Sequence, residues 1–208
     1  TLLMYGMGEK TIIECCDWVR RGMPAHELPT LRGCCYMAKE PPKNAILLPG
    51  HSEVAADRTA YARAFMLEYE EQDPMRGKTL CQQQDSLRFL VQNPPAMPLN
   101  RAELDEVYDL PFTRRAHPCY DRLGGVPALS EVRFSLSSVR GCFGACNFCA
   151  LTFHQGRIIQ SRSHASLLKE ACLMTREANF KGYIHDVGGP TADFRQPACK
   201  KQLTRGAC

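Results

Sequence analysis

The chain has 208 residues, of which 44% are hydrophobic and 23% are charged, and its formal net charge is +4 at pH 7. This length is sufficient for one domain or slightly more, with a sizeable buried core. The basic residues are scattered and not interleaved with aromatic ones, which argues against nucleic-acid binding, and no apolar run is long enough to span a membrane. Since no signal peptide is present either, we expect a globular protein of the cytoplasm.

Residues 1–92 alternate strand and helix patterns, which is typical of an α/β domain. Strands are predicted at 2–5, 34–37, 45–48, 79–83 and 87–91. One helix is predicted around Ile12, Ile13, Cys16 and Val19, and a longer one over 52–71 with Ala55, Ala56, Ala62, Phe65 and Met66 on its apolar side.

The twelve cysteines are many for a chain of this size and first suggest a secreted disulfide scaffold. The adjacent pairs Cys15/Cys16 and Cys34/Cys35 argue against it, because both pairs lie inside apolar stretches that are predicted to be helix and strand. We predict that these four residues, together with Cys81 and Cys172, are buried small hydrophobic residues.

Proline and glycine interrupt regular structure between residues 93 and 129. Asn93–Pro98 and the stretch 111–125 are predicted to be irregular, with a short helix at Arg101–Tyr108 between them. This part of the chain is predicted to be a connector.

A second α/β pattern follows. We predict a strand over 131–139, with Val132, Phe134 and Leu136 facing inward, and a strand at 182–187 that runs into Gly188, Gly189 and Pro190. Between them a helix is predicted, capped by Ser161 or Ser163, ended by Gly182, and with apolar positions Leu167, Leu168, Ala171, Cys172 and Met174. This order is typical of a parallel α/β sheet or barrel, in which loops at the carboxyl ends of the strands form the site.

Cys142, Cys146 and Cys149 form a C-x3-C-x2-C triad directly after the predicted strand. Three thiolates on one loop can ligate three irons of a [4Fe–4S] cluster and leave the fourth iron open to a small molecule. A zinc site completed by His154 or by Cys199 and Cys208, a disulfide, and a thiol redox pair are the alternatives. Cys199 and Cys208 are also candidates for the start of a second metal site.

The segment from Arg140 to Arg162, RGCFGACNFCALTFHQGRIIQSR, resembles the cluster loop of radical S-adenosylmethionine (SAM) enzymes, and specifically that of the YgiQ family. Residues 5–9, 91–95, 110–115 and 181–192 also resemble that family, so the resemblance spans nearly the whole chain. It implies the end of an N-terminal α/β domain at 1–92, a connector at 93–129, and the start of a truncated TIM-like radical SAM core at 130–208. The chain, which begins at Thr1, is therefore expected to be a fragment.

The resemblance also implies a role for individual residues. Cys142, Cys146 and Cys149 would hold the cluster, and SAM would chelate its open iron. Phe148 matches the aromatic position near the SAM adenine, with a core residue under the loop as the alternative. Gly188 and Gly189 match the loop that contacts the methionine amino group, while Pro190 departs from the acidic residue that many members carry there.

The chemistry implied by the resemblance is reductive cleavage of SAM to methionine and a 5′-deoxyadenosyl radical that abstracts hydrogen from an unknown substrate. A reducing electron donor such as flavodoxin or ferredoxin is implied as a partner. Arg140, Arg157 and Arg162 are predicted to be solvated loop charges, with tuning of the cluster potential as the alternative. The competing hypothesis for the whole protein is a non-catalytic iron–sulfur or zinc module for electron transfer or structure.

Overall fold

The computed structural model describes residues 2–24, 31–189, 195–197 and 199–207. The chain folds as two compact units. The first unit contains Thr1–Pro98, Phe143–Ile158 and Ala198–Cys208, and the second unit contains Leu99–Cys142 and Ile159–Pro197. In the described part of the chain, none of the helices combines the length and the apolarity needed to cross a bilayer.

A five-stranded mixed sheet is the centre of the first unit. Its strands are β1 Leu3–Met4, β2 Cys34–Ala38, β3 Ile46–Leu48, β4 Leu80–Gln83 and β5 Phe89–Gln92, and their spatial order is β1-β2-β5-β4-β3. Only β3 and β4 pair in parallel. Each predicted strand of 1–92 is confirmed to within two residues at either end.

Three cysteines of this sheet belong to its buried core. Cys34, Cys35 and Cys81 are buried, as predicted. The same prediction is wrong for Cys16 and Cys172, which are exposed on helices rather than held between strands and the layer above them. All eleven cysteines of the described part are free thiols.

Helix α1, Glu9–Arg20, lies where a helix is predicted, but its apolar residues are not its buried ones. Its buried residue is Thr11, whose hydroxyl donates to the carbonyl of Arg32 over 2.9 Å. That bond turns the side of the helix bearing Thr11 inward, so Ile12, Ile13 and Val19 are exposed.

The long helix predicted over 52–71 is divided into α2, His51–Ala56, and α3, Arg58–Glu70. Asp57 lies between them in extended conformation, and its carboxylate accepts the backbone N–H groups of Thr59 and Ala60. An aspartate that satisfies these N–H groups starts a new helix and therefore interrupts the old one. The buried residues of α3 are Ala60 and Ala64, whereas Phe65 and Met66 are exposed, contrary to prediction.

Two further helices of the first unit come from later parts of the chain. They are α6, Leu151–Gln155, and α8, Gln202–Arg205. The residues after α8 are held by the turn that follows α3: the Ala207 N–H donates to Asp73 Oδ2 over 2.7 Å, and Arg76 Nη2 donates to the Ala207 carbonyl over 3.1 Å. Asp73 is only 5% exposed.

The second unit begins with helix α4, Arg101–Tyr108, at its predicted bounds. Asn100 and Glu103 form a capping box, in which each side chain accepts the other residue's backbone N–H. A 3₁₀ helix, Pro118–Leu123, and a short helix α5, Leu129–Val132, follow.

The strand predicted over 131–139 is shorter than expected. Its first residues belong to α5, where the Ser130 hydroxyl donates to the carbonyl of Pro127 and supports a helical turn. Strand β6 is Ser135–Ser137, and β7, Val139–Arg140, pairs antiparallel with β8, Gln160–Ser161. Val132 is consequently exposed, whereas Phe134 and Leu136 are buried as predicted.

A β-α-β arrangement forms the core of the second unit. Helix α7, His164–Met174, separates β6 from β9, Asp186–Gly188, and the two strands pair in parallel. Ser163 caps α7, as predicted. The helix ends at Met174, well before the predicted end at Gly182, and just after Met174 the Thr175 hydroxyl donates back to the carbonyl of Cys172. The buried cluster consists of Phe134, Leu136, Leu167 and Met174, against which Ala171, Phe180 and Ile184 pack.

The α/β class is confirmed by these sheets and helices. The β6–α7–β9 arrangement is the kind of repeating unit from which α/β barrels are built. That it begins a barrel stays a prediction.

Candidate cofactor-binding site

The carboxyl ends of β6 and β9 lie side by side. Ser137 is opposite Gly188 in the parallel register, and the Ser138 N–H donates to the Gly188 carbonyl over 2.7 Å. Gly188 and Gly189 therefore leave the sheet beside the residues that lead through β7 to Cys142. Because functional loops gather at the carboxyl ends of parallel strands, this edge is the candidate site of the second unit.

Among the residues that the structure describes, none packs so closely that position 188 has to be glycine. A Cβ there would come no closer than 3.4 Å to Asp186 Oδ1, which is ordinary van der Waals contact. Pro190 lies outside the described residues, so the departure predicted at that position has no structural description here.

The loop that carries the three cysteines changes direction sharply. Gly141 and Ala145 both have positive φ, 87° and 48°, a region that costs residues other than glycine roughly 1–2 kcal/mol. Cys142 is buried and belongs to the second unit, whereas Cys146 is exposed, Cys149 is half-buried and both belong to the first. A hydrogen bond of 3.0 Å from the Cys149 N–H to the Cys146 carbonyl closes the turn between those two residues.

The donor set suits an iron–sulfur cluster, since three thiols without disulfide partners are the soft ligands that such clusters take. The structure brings Cys146 and Cys149 into one turn. Within the residues described, however, no group of three or more His, Cys, Asp or Glu side chains is arranged as a metal site. His154 is exposed on α6, and Cys208, the partner predicted for Cys199, lies outside the described residues.

Phe148, next to Cys149, is 93% exposed. The alternative that it is a core residue under the loop is therefore wrong. An exposed aromatic ring offers a flat apolar face on which a planar group can stack.

An aromatic cluster anchors the downstream end of the cysteine loop within the first unit. The ring of Phe153 on α6 lies 5.8 Å from that of Phe65 and 5.9 Å from that of Tyr69, centroid to centroid. Both partners are on α3, four residues apart, which places them on one face of that helix. Sequence reasoning missed this cluster, although the spacing of Phe65 and Tyr69 marks the face.

Arg162 is buried, with 1% exposure, so the prediction that it is a solvated loop charge is wrong. Its guanidinium group donates to the Ser137 carbonyl over 3.0 Å and to Glu170 Oε2 over 2.5 Å. The same group lies 4.1 Å from the centre of the Tyr108 ring, and the guanidinium of Arg140 lies 5.1 Å from that centre. Glu170 lies eight residues on, on α7, whereas Ser137 and Tyr108 come from separate elements that no local spacing in the sequence links to Arg162.

Arg157 lines a polar cavity of about 440 Å³ in the first unit, together with Tyr69, Gln72 and the charged residues Glu70, Glu71, Asp73, Arg76 and Lys78. Acidic and basic side chains are equal in number around it. The cavity therefore has no net charge with which to select an ionic ligand.

Comparisons with known proteins identify similar sequences. The family model described as Radical SAM N-terminal matches residues 1–135. A UPF0313 protein of Clostridium botulinum (strain 657 / Type Ba4) is 52% identical over 209 residues, which cover 100% of this chain and 33% of that protein. A UPF0313 protein of Clostridium perfringens (strain 13 / Type A) is 51% identical over 210 residues, covering 100% of this chain and 32% of that protein.

The chain thus spans about a third of the length of the curated relatives it matches. No solved structure matches it significantly.

Proposed function

The chain belongs to the radical SAM N-terminal family, and from this membership we propose that the complete protein is a radical SAM enzyme with an unidentified substrate. The observation that carries the proposal is the triad Cys142, Cys146 and Cys149 in a chain of this family, on a loop that follows β7, the short strand just after the carboxyl end of the parallel strand β6. We propose that the three thiolates hold a [4Fe–4S] cluster.

Each proposed contact has a chemical reason. Three thiolates leave one iron of a cube without a protein ligand, and the amino and carboxylate groups of SAM would bind there. The backbone of Gly188 and Gly189, at the edge shared with Ser138, would contact the methionine part of SAM, since space above Gly188 is not needed for packing. The exposed ring of Phe148 would lie near the adenine.

The bound cofactors supply reductive cleavage of the SAM carbon–sulfur bond, which produces methionine and a 5′-deoxyadenosyl radical. The residues of this chain bind and orient the cofactors. In the complete protein, flavodoxin or ferredoxin would supply the electron, and the substrate would supply the hydrogen that the radical abstracts.

Anaerobic cluster reconstitution of the complete protein tests the proposal. Electron paramagnetic resonance of the reduced protein should show a [4Fe–4S] signal that changes when SAM is added. Cys146→Ala should abolish the signal, whereas Cys16→Ala is the matched control, because Cys16 is also an exposed cysteine of the first unit but lies on α1. A cluster that is indifferent to SAM, or a site that takes only zinc, would support the non-catalytic module instead.

A further inference from the structure

We propose that Arg162 is a positioning residue that fixes the edge of the β6–β9 pair at which SAM binds, a role that rests on the proposed function. Nothing in the sequence pattern assigns this role. It follows from where the guanidinium group lies and from what it holds.

The guanidinium of Arg162 is bound on every side. Besides Ser137 and Glu170, it donates to the Ser166 hydroxyl from Nε over 3.1 Å and from Nη2 over 2.8 Å, and to the Ser166 carbonyl over 3.2 Å. The Tyr108 ring covers one face. A planar fork with several donors, stacked on an aromatic ring, uses properties that lysine lacks.

The contacts of Arg162 converge on the last residues of β6. Its side chain holds the Ser137 carbonyl, and its backbone N–H donates to the Ser138 carbonyl over 3.1 Å. Arg195 binds the same part of the chain: its guanidinium group donates to the Arg162 carbonyl over 2.8 Å and to the Ser138 carbonyl over 3.5 Å. Since the Ser138 N–H is the donor that holds the Gly188 carbonyl, Arg162 fixes the strand end that aligns the glycine loop.

Arg114 provides a matched comparison within the same ion cluster. It pairs with Glu170 through Oε1, while Arg162 uses Oε2. Arg114 donates to the carbonyl of Arg133, before β6, over 3.1 Å. The two arginines therefore share one carboxylate but hold opposite ends of β6, and only the end held by Arg162 faces the candidate site.

The experiment compares Arg162→Lys with Arg114→Lys in the complete, cluster-loaded protein. Both variants keep the positive charge and lose the planar fork. Hydrogen exchange is measured at the Ser138 amide, bonded to Gly188, and at the His185 amide, bonded to Phe134 at the other end of the strand pair. The dissociation constant for SAM is measured by titration.

We expect Arg162→Lys to accelerate exchange at Ser138 about tenfold and to weaken SAM binding about tenfold, with cluster content unchanged. Arg114→Lys should accelerate exchange at His185 and leave SAM binding unchanged. If Arg162→Lys does not fold, Ser166→Ala, which removes only the hydroxyl acceptor, should show the same pattern with smaller changes.

Two results would overturn the inference. Equal acceleration at both amides in both variants, or an unchanged dissociation constant in Arg162→Lys, would leave Arg162 a structural residue while the proposed function stands. A wild-type protein that holds the cluster but binds no SAM would overturn the proposed function, and with it any role of Arg162 in SAM binding.

Discussion

Replacement of Gly206 by alanine should detach the segment after α8 from the first unit. Gly206 has φ 82°, and a Cβ there would overlap both carboxylate oxygens of Asp73 and lie 2.6 Å from its Cγ. Asp73 is buried and has no room to withdraw without breaking its bonds to the N–H groups of Met75, 2.8 Å away, and Ala207. The substitution therefore adds backbone strain and also displaces the clamp, by which we mean the Asp73 carboxylate bound to the Ala207 N–H.

The magnitude has two parts. A non-glycine residue in the left-handed region costs about 1–2 kcal/mol. Displacing the carboxylate loses at least one hydrogen bond to a charged group, a loss of about 1.5–3 kcal/mol. We expect Gly206→Ala to lower the unfolding free energy of the first unit by about 3–5 kcal/mol.

Gly22→Ala is the matched control. Gly22 has φ 71°, and no heavy atom of the described residues lies within 4 Å of the added Cβ, so we expect only the backbone strain, a loss of about 1–2 kcal/mol in unfolding free energy. Urea denaturation followed by the fluorescence of Trp18, the one tryptophan of this chain, measures both variants. Exchange of the Ala207 amide reports the clamp directly.

A double-mutant cycle separates overlap from strain. Asp73→Ala removes the carboxylate that the new methyl group would overlap. The double variant Asp73→Ala with Gly206→Ala should therefore lose about 1–3 kcal/mol less unfolding free energy than the sum of the losses in the two single variants. If the losses are additive, or if Gly206→Ala behaves like Gly22→Ala, the overlap with Asp73 is not the cause.

Three further predictions concern stability. Burial raises the pKa of the Cys35 thiol from 9.0 to about 11. Because this thiol ionises at lower pH in the unfolded chain than in the folded one, the unfolding free energy should fall by up to ~2 kcal/mol as the pH rises from 9 to 11. Thermal melts across this pH range should show a smaller fall in Cys35→Ala. Met174 has 0% exposure, and Met174→Ala should lower the unfolding free energy measured by urea titration by about 2–5 kcal/mol. Leu168 has 66% exposure, and Leu168→Ala should change the unfolding free energy by no more than about 0.5 kcal/mol. Asn100→Ala breaks the capping box and should lower the unfolding free energy by about 1 kcal/mol. Asn100→Asp, whose carboxylate can still cap the helix, should keep most of that stability.

The strands of the first unit and helix α4 could be predicted because their signals are local. Short apolar stretches mark β2, β4 and β5, and Asn100 with Glu103 marks the start of α4. The boundary at Asp57 was also visible in principle, since aspartate is a common helix cap, but the apolar residues on both sides favoured one continuous helix.

The candidate site was predicted less completely, because its contacts are long-range. The triad is evident from spacing, yet the burial of Arg162 depends on Tyr108 and Ser137, which are distant in sequence, as well as on Glu170, eight residues on. Helix α1 shows the same limit, since its buried residue, Thr11, is bonded to the Arg32 carbonyl, 21 residues on, while its apolar residues Ile12, Ile13 and Val19 are exposed.

The first unit is made from three separate stretches of chain, and this affects the order in which it can form during synthesis. Residues 1–98 leave the ribosome before the Phe65 and Tyr69 rings can contact Phe153 and before the Asp73 carboxylate can bind the Ala207 N–H. At ~5–20 residues per second, Ala207 follows Pro98 by roughly 5–20 s. The first unit therefore completes its folding only after the whole second unit has been synthesised, and a segment cut at Pro98 would never acquire the contacts that Phe153 and Ala207 provide.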